Sequence, residues 1–116
     1  MISFATAEAA TAEVSAKHIA SVRALSGKIR ELLGMDFEII DTVVSVGSTI
    51  TFLRLDLQGQ NLNLSEYQSN YSNNMYGSQT GDVLIVDYDD SMYLYIDLGE
   101  STQQRGWRDY HYIPLY

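Results

Sequence analysis

The spacing of apolar residues between about Thr6 and Leu33 predicts one long helix. The segment is rich in alanine and other helix-forming residues and contains no proline, and Ser3 or Thr6 can cap its first turn. Its apolar stripe, with steps of three and four residues, consists of Val22, Leu25, Ile29 and Leu32. Ser26-Gly27 interrupts the helical composition and predicts a kink there, and Gly34 is the expected end of the helix.

From Asp36 onward β-branched residues replace the alanines, and two such runs flank Gly47-Ser48. A Gly-Ser pair in this position predicts a two-residue hairpin turn. Such a turn pairs Val43 with Phe52 and places Asp41 opposite Arg54. One face of the hairpin is then expected to hold Ile40, Val44, Val46, Leu53, Leu55 and Leu57. The other is expected to hold Ile39, Val43, Ile50 and Phe52.

Residues 58–81 are rich in Asn, Gln and Ser, with Glu66 as the one charged residue. Two readings stay open. The first is a long polar connection with a short strand at 61–64. The second is a short helix capped by Ser65 and Gln68, because structureless loops of this length are uncommon in compact domains. The apolar stripe of that helix would be Leu64, Tyr67, Tyr71 and Met75.

Two further β-forming runs, residues 83–88 and 92–98, flank Asp89, Asp90 and Ser91. Their alternation predicts a second hairpin with a two-residue turn. One face is expected to carry Val83, Ile85, Leu94, Ile96 and Leu98. The opposite face is expected to carry Leu84, Val86, Tyr88, Tyr93, Tyr95 and Asp97.

A final strand is predicted from Trp107, and Pro114 ends it or places it at a sheet edge because proline has no N–H to donate. Its two faces alternate Trp107, Asp109, His111 and Ile113 against Arg108, Tyr110 and Tyr112. Together these elements predict an α+β fold: one long N-terminal helix packed on an antiparallel sheet of about five strands, made of two hairpins and a C-terminal strand.

A length of 116 residues fits one domain, 1–116. Residues 1–12 offer little apolar surface, so this arm is expected either to fray or to bind a partner, and a homodimer through the N-terminal helix is one form of that expectation. The chain has no cysteine for disulfides. Neither a signal-peptide pattern nor a run of about 18 apolar residues is present, which predicts a cytoplasmic protein without a membrane partner.

The charge distribution is uneven. The formal net charge is -8, and residues 55–104 carry eight acids and no base. Nucleic acids and anionic membranes repel a protein of this charge, so neither is expected as a direct partner. A basic protein surface, including that of a nucleic-acid-binding enzyme, is the expected partner.

Motifs for catalysis or cofactor binding are weak. An EF-hand loop from Asp87 would need glycine and glutamate where Met92 and Leu98 stand, and no phosphate-binding glycine motif is present. No metal, cofactor or enzymatic activity is therefore expected. The alternative is a ligand-binding or enzymatic site on the last strand, because a carboxylate can orient an imidazole for base catalysis. Its residues would be Asp109, Tyr110 and His111.

The nine tyrosines all lie at or after position 67, in the same half of the chain as the base-free stretch. Tyrosine combines a large apolar ring with a polar tip, and binding surfaces use it heavily. The expected partner-binding residues are Asp87, Tyr88, Asp89, Asp90, Tyr93, Tyr95 and Asp97. They predict a non-enzymatic interaction protein that inhibits or shields a basic partner such as a nucleic-acid-handling enzyme or a toxin, by mimicking nucleic acid or by charge complementarity. Phage anti-defence proteins and immunity proteins are similar in size and acidity, which is an analogy of composition and not a motif match.

Overall fold

The computed structural model describes residues 8–9, 12–40, 43–46, 50–73 and 76–116, without the side chains of 8, 9, 12–15, 45 and 46. The helices are α1 (Ala12–Ala24), α2 (Ser26–Leu33) and a 3₁₀ turn at Leu64–Glu66. The strands are β1 (Glu8–Ala9), β2 (Glu38–Ile39), β3 (Val44–Val46), β4 (Ile50–Asp56), β5 (Val83–Tyr88), β6 (Ser91–Glu100) and β7 (Arg108–Pro114).

All strand pairs are antiparallel, in the order β1-β3-β4-β5-β6-β7, with β2 pairing separately with β4. The predicted α+β class and antiparallel sheet are confirmed. Five strands, β3 to β7, are longer than two residues, and β1 and β2 add one short pairing each. The C-terminal strand β7 ends at Pro114 as predicted, although it begins at Arg108 rather than at Trp107.

The prediction of one long N-terminal helix is wrong. Residues 8–9 form β1, and the remaining helix divides at Leu25, where the N–H bonds the carbonyl of Val22, three residues back, instead of the carbonyl four residues back. The Ser26 hydroxyl donates to the Arg23 carbonyl at 2.8 Å and so competes with the backbone ladder. Gly34 ends α2 with φ 70°, as expected. The proposed caps Ser3 and Thr6 lie outside the described residues.

The first hairpin pairs one residue away from the predicted register. Val44, not Val43, lies opposite Phe52, and Val46 lies opposite Ile50, which leaves three residues between the paired ends instead of two. A one-residue slip exchanges the two faces of a strand. Val44 therefore packs with Phe52, and Val43 packs with Leu53 on the other face. Gly47, Ser48 and Asp41 lie outside the described residues.

The second hairpin has the predicted two-residue turn and the predicted faces. Tyr88 pairs with Ser91, and the linking Asp89 and Asp90 have φ of 50° and 62°. Positive φ at both central residues defines a type I′ turn, whose twist matches that of the flanking strands. Aspartate tolerates this conformation better than most residues, which explains why the turn forms without glycine.

The polar segment before β5 contains one 3₁₀ turn, Leu64–Glu66, and neither the longer helix nor the strand at 61–64. The Ser65 hydroxyl donates to the Asn63 side chain instead of capping a helix. Tyr71 forms an isolated antiparallel bridge with Tyr110 on β7. The Tyr110 nitrogen lies 2.6 Å from the Tyr71 carbonyl oxygen, and the Tyr71 nitrogen lies 3.1 Å from the Tyr110 carbonyl oxygen. Met75 lies outside the described residues.

The sheet has a hydrophobic core on each face. The helix layer, meaning α1 and α2, covers one face with Ile19, Val22, Ile29 and Leu33, and these side chains pack on Leu53, Leu55, Ile85, Leu94 and Ile96. The outer face, meaning the face away from the helix layer, carries a second cluster. Its members are Val44, Phe52, Tyr76, Leu84, Val86, Tyr95 and Tyr110.

Candidate functional site

Tyrosine rings from three parts of the chain meet on the outer face. Tyr93 and Tyr95 come from β6 and Tyr112 from β7, while the segment before β5 supplies Tyr71 and Tyr76. Tyr95 is central, with its ring centroid 5.7 to 6.4 Å from the centroids of its neighbours. Those neighbours are Tyr71, Tyr76, Tyr93, Tyr110 and Tyr112. Three of these five pairs are edge-to-face, an arrangement that aromatic quadrupoles favour, and the other two are tilted.

These rings enclose a groove of about 400 Å³. We call it the tyrosine groove; its described lining is Tyr71, Tyr76, Tyr88, Tyr93, Tyr95 and Tyr112, with Ile50 and Val86. Tyr76 and Tyr95 are buried and form the base. Tyr71, Tyr93 and Tyr112 are half-buried, and Tyr88 is 50% exposed. The described lining contains no charged side chain, so recognition inside the groove depends on ring faces and hydroxyls.

The Tyr95 hydroxyl at the base of the groove remains protonated at ordinary pH. Burial is the main cause that raises the pKa of Tyr95, and the surrounding tyrosines raise it further. Burial also raises the pKa of Tyr110. Neither hydroxyl supplies negative charge to a ligand, and Tyr110 already donates its proton to Ser78.

The acidic turn, meaning Asp89 and Asp90, lies at one end of the tyrosine groove. Both residues are exposed, and they directly follow the groove residue Tyr88. Tyr93 also lies close to the acidic turn. It pairs with Val86 and follows Ser91 by two residues, a distance of about 7 Å along the strand at the usual rise per residue. Asp87 has the opposite orientation, because alternate strand residues face opposite sides, and it lies towards the helix layer.

Charges are unevenly distributed between the helix layer and the rest of the chain. Residues 12–33, which include the helix layer, carry four bases and two acids, and the rest of the chain carries three bases and thirteen acids. The four bases Lys17, Arg23, Lys28 and Arg30 are all exposed. The excess of negative charge therefore lies outside the helix layer.

Asp97 is not on the binding surface that the sequence predicts. Its carboxylate is fully buried and forms a two-pronged ion pair with Arg108, with distances of 2.8 Å from Nε and 3.0 Å from a terminal guanidinium nitrogen. The Gly99 N–H donates to Oδ1 at 2.8 Å and the Ser78 hydroxyl to Oδ2 at 2.6 Å. Because Ser78 has only one proton, the Tyr110 hydroxyl donates to Ser78. The hydrogen bonds to Asp97 raise the pKa of Arg108.

This network fixes the end of the sheet opposite the acidic turn. Arg108 also donates to the Thr80 hydroxyl at 2.9 Å, which ties the segment before β5 to β7. The register of β6 and β7 shifts between Asp97 and Gly99, and Gly99 has φ 111°. A β-carbon at Gly99 would lie 3.3 Å from the Thr80 side chain, so glycine suits both the bulge and the close approach.

His18 is buried on α1, with its Nδ1 3.6 Å from a carboxylate oxygen of Asp87. That distance is too long for a hydrogen bond, and neither ring nitrogen has a hydrogen-bond partner among the described residues. Burial lowers the pKa of His18, although the Asp87 charge opposes this shift. The residue is a packed core histidine rather than an accessible base.

We expect His18 to make the protein less stable in mild acid. Above about pH 6.5 the imidazole is neutral in both the folded and the unfolded chain. Below this pH the unfolded chain binds a proton, whereas the buried ring, with its lowered pKa, does not until the pH is lower still. The free energy of unfolding therefore falls as the pH falls. His18→Leu should reduce the loss between about pH 8 and pH 5, measured by urea denaturation. His111→Gln is the matched control, and an equal reduction in both variants would contradict this assignment.

Asp109, Tyr110 and His111 do not converge on one site. Tyr110 is fully buried on the outer face, whereas His111 pairs opposite Ile96 and belongs to the helix side. The His111 Nδ1 lies 2.8 Å from the Gln68 carbonyl, which can only accept, so this nitrogen carries the proton. The Tyr67 ring lies against the imidazole at 5.1 Å between centroids. This arrangement holds the segment before β5 on β7.

A cleft of about 520 Å³ lies between the end of β4 and the segments 57–64 and 80–83. Its Arg54 and Asp82 lie 3.5 Å apart, so their charges largely cancel. Within the described ranges no group of three or more potential metal-ligating side chains comes together, and no helix in them is long and apolar enough to cross a membrane. The tyrosine groove with the acidic turn is therefore the candidate site.

Strand alternation correctly predicts that Tyr88, Tyr93 and Tyr95 share one face, but no sequence pattern predicts Tyr71 and Tyr76 as groove residues. Their signal is weak, because they stand in a polar segment whose path over the sheet no local pattern specifies. Tyr112 alternates with His111 on the last strand, so its face is predicted, but its place beside Tyr95 depends on the pairing of β6 with β7.

Comparison with protein-family models, curated proteins and solved structures returns no match.

Proposed function

We propose that the protein is a cytoplasmic, non-enzymatic interaction protein that binds a basic surface of a partner protein and shields or inhibits it. Partners of this chemistry include nucleic-acid-handling enzymes, whose phosphate-binding grooves are basic, and basic toxins. The observation that carries the proposal is the exposed acidic turn beside the tyrosine groove, on a hairpin in the middle of the sheet.

The charge segregation supports this proposal. With thirteen acids against three bases outside residues 12–33, the field around the acidic turn is negative and attracts a basic surface from a distance. Complementary charge of this kind mainly raises the association rate and selects among partners. An acidic face can also occupy a basic groove in place of nucleic-acid phosphates.

The shape of the site supports the proposal as well. The acidic turn is held in a type I′ conformation by two long paired strands, so little conformational entropy is lost when a partner binds it. The partly exposed Tyr88 and Tyr93 supply apolar ring surface for contact, and their hydroxyl groups can form hydrogen bonds with a partner. The binding face we propose contains Tyr88, Asp89, Asp90 and Tyr93, and Asp87 lies on the opposite side of the strand, towards the helix layer. Tyr95 supports the binding face from beneath, and the buried Asp97 has a structural role.

The test is affinity capture from a lysate of the source cells with the native protein and two charge-matched variants. Asp89→Asn/Asp90→Asn removes the acidic turn's charge, and Glu31→Gln/Glu66→Gln removes the same charge from exposed positions elsewhere. A basic protein captured by the native chain and the control should bind the acidic-turn variant roughly 3- to 10-fold more weakly, as exposed ion pairs predict. Titration calorimetry with that purified protein measures the difference.

Salt dependence is the second readout. Binding through exposed charges weakens as salt screens them, so capture should decrease between low salt and about 0.5 M salt. Equal affinity of both variants for the captured partner, or binding that high salt leaves unchanged, would contradict the proposal.

A further inference from the structure

We infer that the tyrosine groove takes an arginine side chain of the partner, with its aliphatic part between the rings and its guanidinium directed to the acidic turn. This inference rests on the proposed function and assigns the partner's chemistry at the centre of the interface. The site therefore combines an uncharged groove with the acidic turn beyond Tyr88.

The shape of the groove fits a long side chain that is apolar along its stem. The described lining consists of tyrosine rings, Ile50 and Val86, and the buried Tyr76 and Tyr95 close its base. Arginine commonly lays its methylene stem on apolar surface while its charged end stays near water. The half-buried Tyr71, Tyr93 and Tyr112 leave part of their surface accessible for that stem.

Charge complementarity fixes the sign of the occupant. The first charged residues beyond Tyr88 are Asp89 and Asp90, both exposed. At the opposite end of the same face, Arg108 is paired with the buried Asp97 and Arg54 lies 3.5 Å from Asp82. Those ion pairs cancel locally, so the acidic turn sets the potential along the groove. An anionic occupant would be repelled, and a neutral one would gain nothing from the turn.

The chemistry of the rings favours arginine over lysine. Tyrosine faces attract cations, and guanidinium stacks on aromatic rings and forms two-pronged hydrogen bonds with carboxylates. Lysine carries a compact ammonium with a stronger hydration shell, which is less suited to an aromatic wall. Asp89 and Asp90, adjacent in a rigid turn, offer the carboxylates for the outer end.

The experiment is an NMR titration of the native protein with a short peptide in which arginines alternate with glycines. The control peptide carries citrulline, which has nearly the shape of arginine without its charge, and a third peptide carries proline in the same positions. We expect the arginine peptide to shift both the tyrosine ring signals of the groove and the amide signals of Asp89 and Asp90. The citrulline and proline peptides should shift the rings at least about tenfold less at equal concentration, as loss of a cation beside aromatic faces and carboxylates predicts.

Variants test the same point. Tyr88→Ala and Tyr93→Ala should each weaken binding of the arginine peptide by about 3- to 30-fold, while Tyr93→Phe keeps the ring and should bind within about twofold. The exposed Tyr88 can be removed without opening the core. The peptide comparison on the native chain requires no variant to fold.

The outcomes separate this inference from the proposed function. Shifts confined to Asp89 and Asp90, with unchanged rings, overturn the inference and leave the proposed function in place. Equal ring shifts from the citrulline or proline peptide overturn it in favour of a neutral binding groove. Ring shifts that depend on protein concentration without peptide assign the groove to a second copy of the chain. The absence of any shift overturns the inference, and the capture experiment with the charge variants decides the proposed function separately.

Discussion

Replacing Arg108 by alanine is expected to lower the free energy of unfolding by about 3–5 kcal/mol, because the variant leaves a fully buried carboxylate without its counter-charge. Asp97 loses two charge-assisted hydrogen bonds and keeps those from Ser78 and Gly99. The buried carboxylate then has no cation beside it. Urea denaturation at neutral pH measures the loss.

Arg105→Ala is the matched control, since Arg105 is exposed in the turn before β7, and it should change stability by no more than about 0.5 kcal/mol. The double variant Asp97→Leu/Arg108→Met should recover part of the loss, because removing both charges leaves neither one buried alone. A loss below about 1 kcal/mol in Arg108→Ala would mean that water reaches Asp97 and that the ion pair does not fix this end of the sheet.

Replacing Tyr95 by alanine is expected to cost about 3–5 kcal/mol, the usual range for removing a buried aromatic ring from a core. The ring lies among those of Tyr71, Tyr76, Tyr93 and Tyr112, and its removal leaves a void beneath the groove. Tyr88→Ala, which removes an exposed ring from the same face, should cost about 0.5 kcal/mol or less.

Thermal and urea unfolding compare the two tyrosine variants directly. The difference between them separates the base of the groove, which stabilises the fold, from its rim, which remains available for binding. Similar small losses in both variants would show that the aromatic cluster collapses around the missing ring and contributes little to the core.

Regular alternation made the second hairpin predictable. Period-2 patterns in β5 and β6 meet at two adjacent aspartates that both tolerate positive φ, so turn and register indicate the same pairing. In the first hairpin the Gly47-Ser48 pair predicts a two-residue connection, but three residues separate the paired ends. This difference of one residue exchanges Val43 and Val44 between the two faces. The break at Leu25 lies one residue before the predicted interruption at Ser26-Gly27.

The sequence predicts the candidate site only in part, because strand alternation gives the face of each residue but not its exposure. Alternation assigns a residue to a face of a sheet but does not say what covers that face. Tyr93 and Asp97 were correctly placed together, yet only Tyr93 remains partly exposed, because Ser78 and Arg108 close over Asp97. These contacts join residues 19 and 11 positions apart, and local sequence patterns do not encode them.

Residues 12–33, which include the helix layer, carry a net charge of +2 (four bases, two acids), and the rest of the chain carries -10 (three bases, thirteen acids), so the molecule is electrically polarised. Such a dipole exerts a torque in the field of a highly charged body, so two molecules rotate towards alignment before they touch. At physiological ionic strength this reorientation acts within about 8 Å of contact. If a basic partner binds as proposed, this effect should orient it towards the acidic part of the chain and away from the exposed bases of the helix layer.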